Sequence, residues 1–178
     1  MPIIESQIDR NGDEFRKNRE RMLAAIKEFR DAEASVQAMA EKARERFRKR
    51  KQLMPRERIS LLLDRGAPFL ELMPLAGYRM HDDKDGSSAG GGSVAGIGYV
   101  EGVRCVISAS NSAVKGGTVA PAGQRKGQRM QQVVMENKLP LIYLVESGGA
   151  NLLYQSEIFV PGGRGFANQA RMSARGIP

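Results

Sequence analysis

Two short glycine-bearing segments hold the residues with most chemical reach. Ser147-Gly148-Gly149-Ala150 ends an apolar run from Leu139 to Glu146 that is rich in β-branched and aromatic residues. Ligands of α/β sheets bind at the carboxyl ends of such strands. Glycines there let a backbone approach a ligand and leave N–H groups free at a helix start to hold an oxyanion or phosphate. The same four residues serve equally well as a tight strand-to-helix turn, and the motif alone leaves the two readings level. Val114-Lys115-Gly116-Gly117-Thr118 repeats the logic, with a cation beside paired glycines after a strand-like run; taken alone, a structural turn with a solvated lysine is the readier reading.

Other chemistries are excluded or weakened by what surrounds these residues. No Gly-Lys-Ser/Thr stands at P-loop spacing, and no Gly-x-Gly-x-x-Gly follows a strand. Ser147 lacks the Gly-x-Ser-x-Gly context of a nucleophile elbow. His81 is the only histidine, which rules out a histidine-rich metal site and argues against a Ser-His-Asp triad. In "HDDKDG" that histidine takes the first ligand position of a calcium loop and no Glu stands at the twelfth, so calcium is rejected. The single cysteine, Cys105, lies in an apolar run, leaving no intrachain disulfide and no cysteine-based zinc site.

The elements that must position the glycines follow from periodicity. From Asp13 to about Gln52 there is no glycine or proline, and apolar residues from Phe15 to Phe47 recur at mostly three- and four-residue steps. This predicts one long amphipathic helix, or two broken near Ser35, stopped by Pro55. Its basic end, Lys42 to Lys51, suits a solvated face more than an anion site, and no aromatic residues interleave as stacking platforms. Pro55 opens a second short helix with Gly66 at its C-terminal cap. Tyr78 to Ser93 reads as a flexible loop or linker between a helical first half and a mixed second half. "SVAGIGYV" and "VRCVISAS" flank Glu101-Gly102 as a β-hairpin. A helix from Pro121 to Asn137 with Met130, Val133 and Val134 on one face, the Leu139–Glu146 strand and a helix over "GFANQARMSARG" ended by Gly176 complete a mixed α/β fold with helices on one or both sheet faces. "RGIP" reads as the turn into a further strand.

With 28 Lys and Arg against 20 Asp and Glu, the net charge of +8 favours an anionic partner such as a phosphorylated cofactor or nucleic acid. The start lacks the pattern of a signal or transit peptide, and no run of about 20 apolar residues could span a bilayer, so a soluble, cytoplasmic protein in a reducing compartment is expected.

Taken together, "MPRERISLLLDRGAPFLEL", "VAGIGYVEGVRCVI", "AVKGGT" and "LIYLVESGGANL", in this order and spacing, resemble the carboxyltransferase (β) subunit of biotin-dependent acyl-CoA carboxylases over about residues 15–178. "SGGANL", "EIF" and "NQARMSARGIP" look closer to the 3-methylcrotonyl-CoA and geranyl-CoA branch than to propionyl-CoA enzymes, while "NLLYQSEIFVPGGRGF" departs from the usual loop of that branch. The resemblance implies an α/β crotonase-like ββα superhelix, here a partial N-domain over residues 67–178, preceded by a helical region over residues 1–66. It implies transfer of a carboxyl group from biotin on a partner carrier domain to the α-carbon of an acyl-CoA. It also implies an α subunit carrying biotin carboxylase and biotin carrier as partner, a hexamer of β subunits, and no nucleic acid, membrane or metal. The family's acyl oxyanion glycines lie after the next strand, so no catalytic residue is placed in this chain, which alone should be inactive. Lys115, Gly116, Gly117, Thr118, Ser147, Gly148, Gly149 and Ala150 become walls of the CoA pocket. A crotonase-type hydratase or isomerase, and more distantly a basic nucleic-acid-binding module, are the alternatives.

Overall fold

The computed structural model describes residues 5–178; the expectation about a targeting segment rests partly on the first four residues, outside them. Three helices come first: α1 (Asp13–Glu41), α2 (Arg44–Lys49) and α3 (Pro55–Leu62). A four-stranded sheet follows in the order β1 (Leu70–Glu71), β2 (Ser93–Val100), β3 (Val103–Ser110), β4 (Leu141–Leu144), with α4 (Pro121–Asn137) between β3 and β4 and α5 (Gln155–Ala174) after β4. The first pairs are antiparallel and β3–β4 is parallel.

The hairpin forms at the expected residues. Val100 faces Val103, and Glu101 and Gly102 both have positive φ, 50° and 72°. That turn suits the twist of paired strands but strains a glutamate. Asp64, just past α3, offsets the strain by accepting both turn amides, from Glu101 at 2.7 Å and Gly102 at 2.8 Å.

Helices cover both sheet faces because residues on both sides of β3 are apolar, alternating in direction along the strand. Cys105, Ile107 and Ala109 pack with Ile59 of α3 on one side, and Val106 packs with Met130, Val134 and Met172 of α4 and α5 on the other. α5 ends in a Schellman motif: Ile177 N–H donates to Met172 and Gly176 N–H to Ser173, with Gly176 at φ 64°. Ile177 and Met172 then meet in the core, the apolar contact that accompanies such a cap.

Five expectations need correction. The amino-terminal helix breaks at Lys42-Ala43 rather than near Ser35, because Ala43 and Phe47 turn inward to pack on Met54. The strand after Leu139 is shorter, Leu141–Leu144, and a two-residue β1 was not anticipated. Leu63, in extended backbone, caps α3, and Gly66 stands in the turn beyond it. α5 starts at Gln155 and runs through Pro161. Side chains of α4 hold it there: Gln128 donates to the Pro161 carbonyl, Gln131 to that of Gly165, and Asn168 returns a bond to Gln131.

The fifth correction concerns Tyr78 to Ser93, which is packed rather than a linker. Asp83 is 5% exposed and accepts from Arg79 N–H, Ser88 N–H and Ser88 Oγ at 3.0, 2.7 and 2.8 Å. Lys126 of α4, 2% exposed, donates to the carbonyls of Gly90 and Ser93 at 3.1 and 2.8 Å. Burial lowers its pKa to about 8. Gly91 and Gly123 pack backbone to backbone, since a Cβ on Gly123 would lie 2.1 Å from the Gly91 carbonyl oxygen.

Candidate functional site

Because β3 and β4 are parallel, their carboxyl ends share one edge of the sheet, and the two glycine segments leave from it side by side. They are laced together. Gly148 N–H donates to Gly116 at 2.9 Å, Ser147 Oγ to the Gly117 carbonyl at 2.9 Å, and Val119 N–H to Gly149 at 2.8 Å, while Val119 and Ala150 form a parallel bridge.

The glycines meet two needs, close approach and left-handed backbone, and Gly117, at φ 70°, meets both. A Cβ on Gly117 would stand 2.6 Å from the Glu146 carbonyl oxygen, and one on Gly148 3.1 Å from Thr118 Oγ1 and 3.2 Å from the Gly116 carbonyl oxygen. These two permit close approach, but to the opposite loop. Gly116 and Gly149 face open space and are needed for their positive φ, 63° and 92°. The expectation that Ser147-Gly148-Gly149-Ala150 leaves its amides free is corrected in part: Gly148 N–H is held by Gly116, and Gly149 N–H is held by Ser147 Oγ at 3.1 Å. Packing of one loop on the other consumes them.

Six of the eight residues border three different spaces, and Gly117 and Gly149 line none of these. Lys115 and Thr118 line a small cavity of about 40 Å³ shared with Met80, His81, Asp82, Ala122 and Asn151. Lys115 Nζ donates to Asp82 at 2.8 Å and holds that carboxyl below its usual range. Ala150 lines an apolar groove of about 310 Å³ between α4 and α5, where desolvation by the groove raises the pKa of the Tyr143 phenol although the residue as a whole is 43% exposed. Gly116, Ser147 and Gly148 form one wall of an open polar cleft of about 510 Å³ whose opposite wall is α2 and its cap, through Arg46 and Arg50. Glu146 lies in that cleft and accepts from Ser112 Oγ at 2.9 Å, Arg58 at 3.3 Å and Gln52 at 3.4 Å.

The arginines are the residues that sequence reasoning passed over. Their i, i+4 spacing in the basic run was visible, but a cleft opposite them becomes visible only once α2 is folded over the loops. Among the described residues no cluster of His, Cys, Asp and Glu suits a metal ion. No described helix is long and apolar enough to cross a membrane.

Comparison with known proteins gives this geometry its family. The model of the carboxyl transferase domain matches residues 46–178. A probable methylcrotonoyl-CoA carboxylase β chain of Drosophila melanogaster is 42% identical over 99% of this chain and 31% of its own length. A biotin-dependent 3-methylcrotonyl-coenzyme A carboxylase β1 subunit of Mycobacterium tuberculosis is 52% identical over 78% of this chain and 26% of its own length. The crystal structure of the β subunit of P. aeruginosa geranyl-CoA carboxylase superposes with a TM-score of 0.90 at 61% identity, covering 99% of this chain and 33% of that one. The transcarboxylase 12S structure, at 20% identity and a TM-score of 0.71 over 85% of this chain and 30% of that one, shares the fold. The expected class, α/β and crotonase-like after a long amino-terminal helix, is confirmed by these superpositions. The chain spans about a third of the length of these relatives. Matched by the family model over residues 46–178 and similar to these relatives over nearly its whole length, it belongs to the carboxyl transferase domain family of acyl-CoA carboxylase β subunits.

Proposed function

We propose that residues 67–178 are the first part of the N-domain of a biotin-dependent acyl-CoA carboxyltransferase, with residues 1–66 a helical region before it. The whole protein transfers a carboxyl group from carboxybiotin to the α-carbon of an acyl-CoA. One observation carries this reading: two glycine loops laced at the shared carboxyl edge of β3 and β4, bordering a cleft lined by Arg46 and Arg50, which form no ion pair among the described residues. An acyl-CoA is a long, polyanionic thioester, and such an edge offers close backbone, shape and positive charge together.

Carboxybiotin, when presented by its carrier, supplies an activated carboxyl group. The residues of this chain bind and orient. Lys115 to Thr118 and Ser147 to Ala150 wall the acyl-CoA site, with Gly117 and Gly148 allowing the loops to seat and Gly116 and Gly149 supplying left-handed backbone. No catalytic residue and no metal are assigned to this chain, and the described residues alone should be inactive. The developing enolate charge needs preorganised amides rather than a nucleophile, so the lack of a triad is no obstacle.

A branched, unsaturated acyl group is the favoured substrate, since the similar proteins named above act on methylcrotonyl-CoA and geranyl-CoA. We further propose a biotin-carrying α subunit as partner, a β-subunit hexamer and a cytoplasmic location. The β designations of the relatives and the hexameric transcarboxylase support the assembly, and the buried free thiol of Cys105 suits a reducing compartment. The test is carboxylation of 3-methylcrotonyl-, geranyl- and propionyl-CoA by the full-length protein with its biotin partner. Faster turnover of the two branched thioesters, and none without biotin, is expected. Biotin-independent hydration or isomerisation would replace this reading with the hydratase one.

A further inference from the structure

The chain's single histidine, His81, stands beside Asp82 in the packed segment from Tyr78 to Ser93, and the two side chains reach different glycine segments. Asp82 accepts from Lys115 Nζ at 2.8 Å, where the first glycine segment begins its turn. His81 Nε2 lies 3.4 Å from Glu157 Oε2, in the first turn of the helix that the second glycine segment leads into. Its ring also meets that of Tyr154, the cap of α5, edge to face at 5.0 Å. The charged and titratable groups around the imidazole are therefore Glu157 and Tyr154 at the start of α5, Arg125 of α4, Asp82 and Asp83 beside it, and Lys115 on the shared cavity. Arg125 lies 3.6 Å from the same Glu157 oxygen. The charge on His81 thus decides whether that carboxylate has one cationic partner or two.

We infer that His81 and Asp82 are positioning residues, a two-point clamp that holds the glycine segments against each other for the acyl-CoA, and that its His81 half tightens on protonation. This rests on the acyl-CoA reading above. The bonds that lace the segments directly join uncharged groups, backbone to backbone or through Ser147 Oγ. The clamp adds charge to them from outside. Its Asp82 half is constant, because Lys115 holds that carboxyl below its usual range and so ionised at neutral pH. Its His81 half varies, since an imidazole gains its charge between about pH 8 and 5. Neutral, the ring offers Glu157 one long contact; charged, it makes an ion pair. The four side chains are between 21 and 48% exposed, so each pair contributes a few-fold and no more.

The test uses the complete carboxylase at about pH 6 and about pH 8.5, on either side of the imidazole range. Its variants are His81→Asn, Glu157→Gln, the two combined, and Asp82→Asn. Asparagine cannot take up the charge, yet it tolerates the left-handed backbone of His81, at φ 56°, which guards against a folding artefact. Two readouts are followed: KM and kcat for the acyl-CoA, and hydrogen exchange of Gly148 and Val119, whose N–H groups lace the segments. At the lower pH His81→Asn should raise KM and speed both exchanges about threefold, with kcat unchanged. At the higher pH it should match the parent. The combined variant should lose no more than Glu157→Gln alone, and Asp82→Asn should lose equally at both pH values. An equal loss from His81→Asn at both pH values would mark it as packing alone and overturn the clamp. Additive losses in the combined variant, or unchanged KM or exchange at the lower pH, would overturn it too. If the parent turns over no acyl-CoA, the carboxyltransferase reading fails by itself. Exchange still decides: a pH-dependent gap between parent and His81→Asn sustains the clamp, and its absence overturns it.

Discussion

α1 and the segment from Tyr78 to Ser93 invert each other's appearance in sequence. α1 is periodic and free of helix breakers, yet Val36 is the one buried residue among its 29, and Met22, Ile26 and Phe29 are 62, 45 and 49% exposed. The other segment is polar, rich in glycine and devoid of period, yet Asp83, Gly86, Ala89, Gly90 and Gly91 are buried. Regularity in sequence reports local conformation. Burial is decided by what the rest of the chain brings near, and here Lys126 and Gly123 of α4 seize the glycine-rich turns.

The sharpest way to break this comparison is to crowd the contact between α4 and the turns. Gly123→Ala should gain about 1 kcal/mol of helix propensity in isolation. Its methyl would instead meet the Gly91 carbonyl oxygen at 2.1 Å, a backbone atom that cannot swing aside as a flexible side chain could. The expected net result is a loss of about 3 kcal/mol, at the upper end for overpacking, read as a lower melting temperature of the full-length subunit. A stabilised variant would show that the turns are loosely held. Asp83→Ala comes next, because it strands two backbone N–H groups and a hydroxyl at a buried position. Leaving such donors unmet should cost about 2 kcal/mol. Faster amide exchange at Arg79 and Ser88, with unchanged exchange in β3, would locate the damage.

What could be read in advance was whatever is encoded by neighbours in sequence. Glu101-Gly102 between two valine-rich runs names its own hairpin, Pro121 and Asn137 bound α4 where a first-turn proline and a polar end residue should, and Gly176 marks a left-handed cap. β1 was invisible because a two-residue strand exists only through its register, Leu70 opposite Ile97. Pro161 and the glycines after it mask the first half of α5, which stands because three α4 and α5 amides bond across the interface. The candidate site divides the same way. Its glycine loops announce themselves, whereas Arg46 and Arg50 look like any solvated helix face until α2 is placed across from Ser147 and Gly148.

A third, smaller effect is a pH dependence. Lys126 titrates at about 8 in the fold against an ordinary 10.5, because burial disfavours its charge. A base lowered on folding is charged in both states below about pH 8, so its desolvation cost is fully present there. Between about 8 and 10.5 the unfolded chain binds the extra proton, and stability from this group rises with pH. The slope should not exceed about 1.4 kcal/mol per pH unit. Lys126→Met should remove this rise. Comparing the two proteins' melting temperatures across that window isolates the group, and parallel curves would show that the Gly90 and Ser93 carbonyls hold a fully charged lysine without cost.

The smallest effects should come from α1, and they define where the body of the domain begins. Lys27 and Asp31 pair at 2.6 Å with both side chains mostly exposed. Such an i, i+4 bond contributes a few tenths of a kcal/mol at most. Ile26→Ser removes apolar surface that is already nearly half in water. On this chain's own contacts that change should stay within about 0.5 kcal/mol. Val36→Ala is different, because Val36 is only 7% exposed and the change deletes two buried methyl groups. It should cost about 1.5 kcal/mol. The paired measurement is the melting temperature of each variant with limited proteolysis of α1. Cleavage before Val36 with little loss of stability is expected for the parent. If Ile26→Ser proves as costly as Val36→Ala in the assembled enzyme, another surface covers the upper turns of α1, and its contrast with the buried glycine turns belongs to the single chain alone.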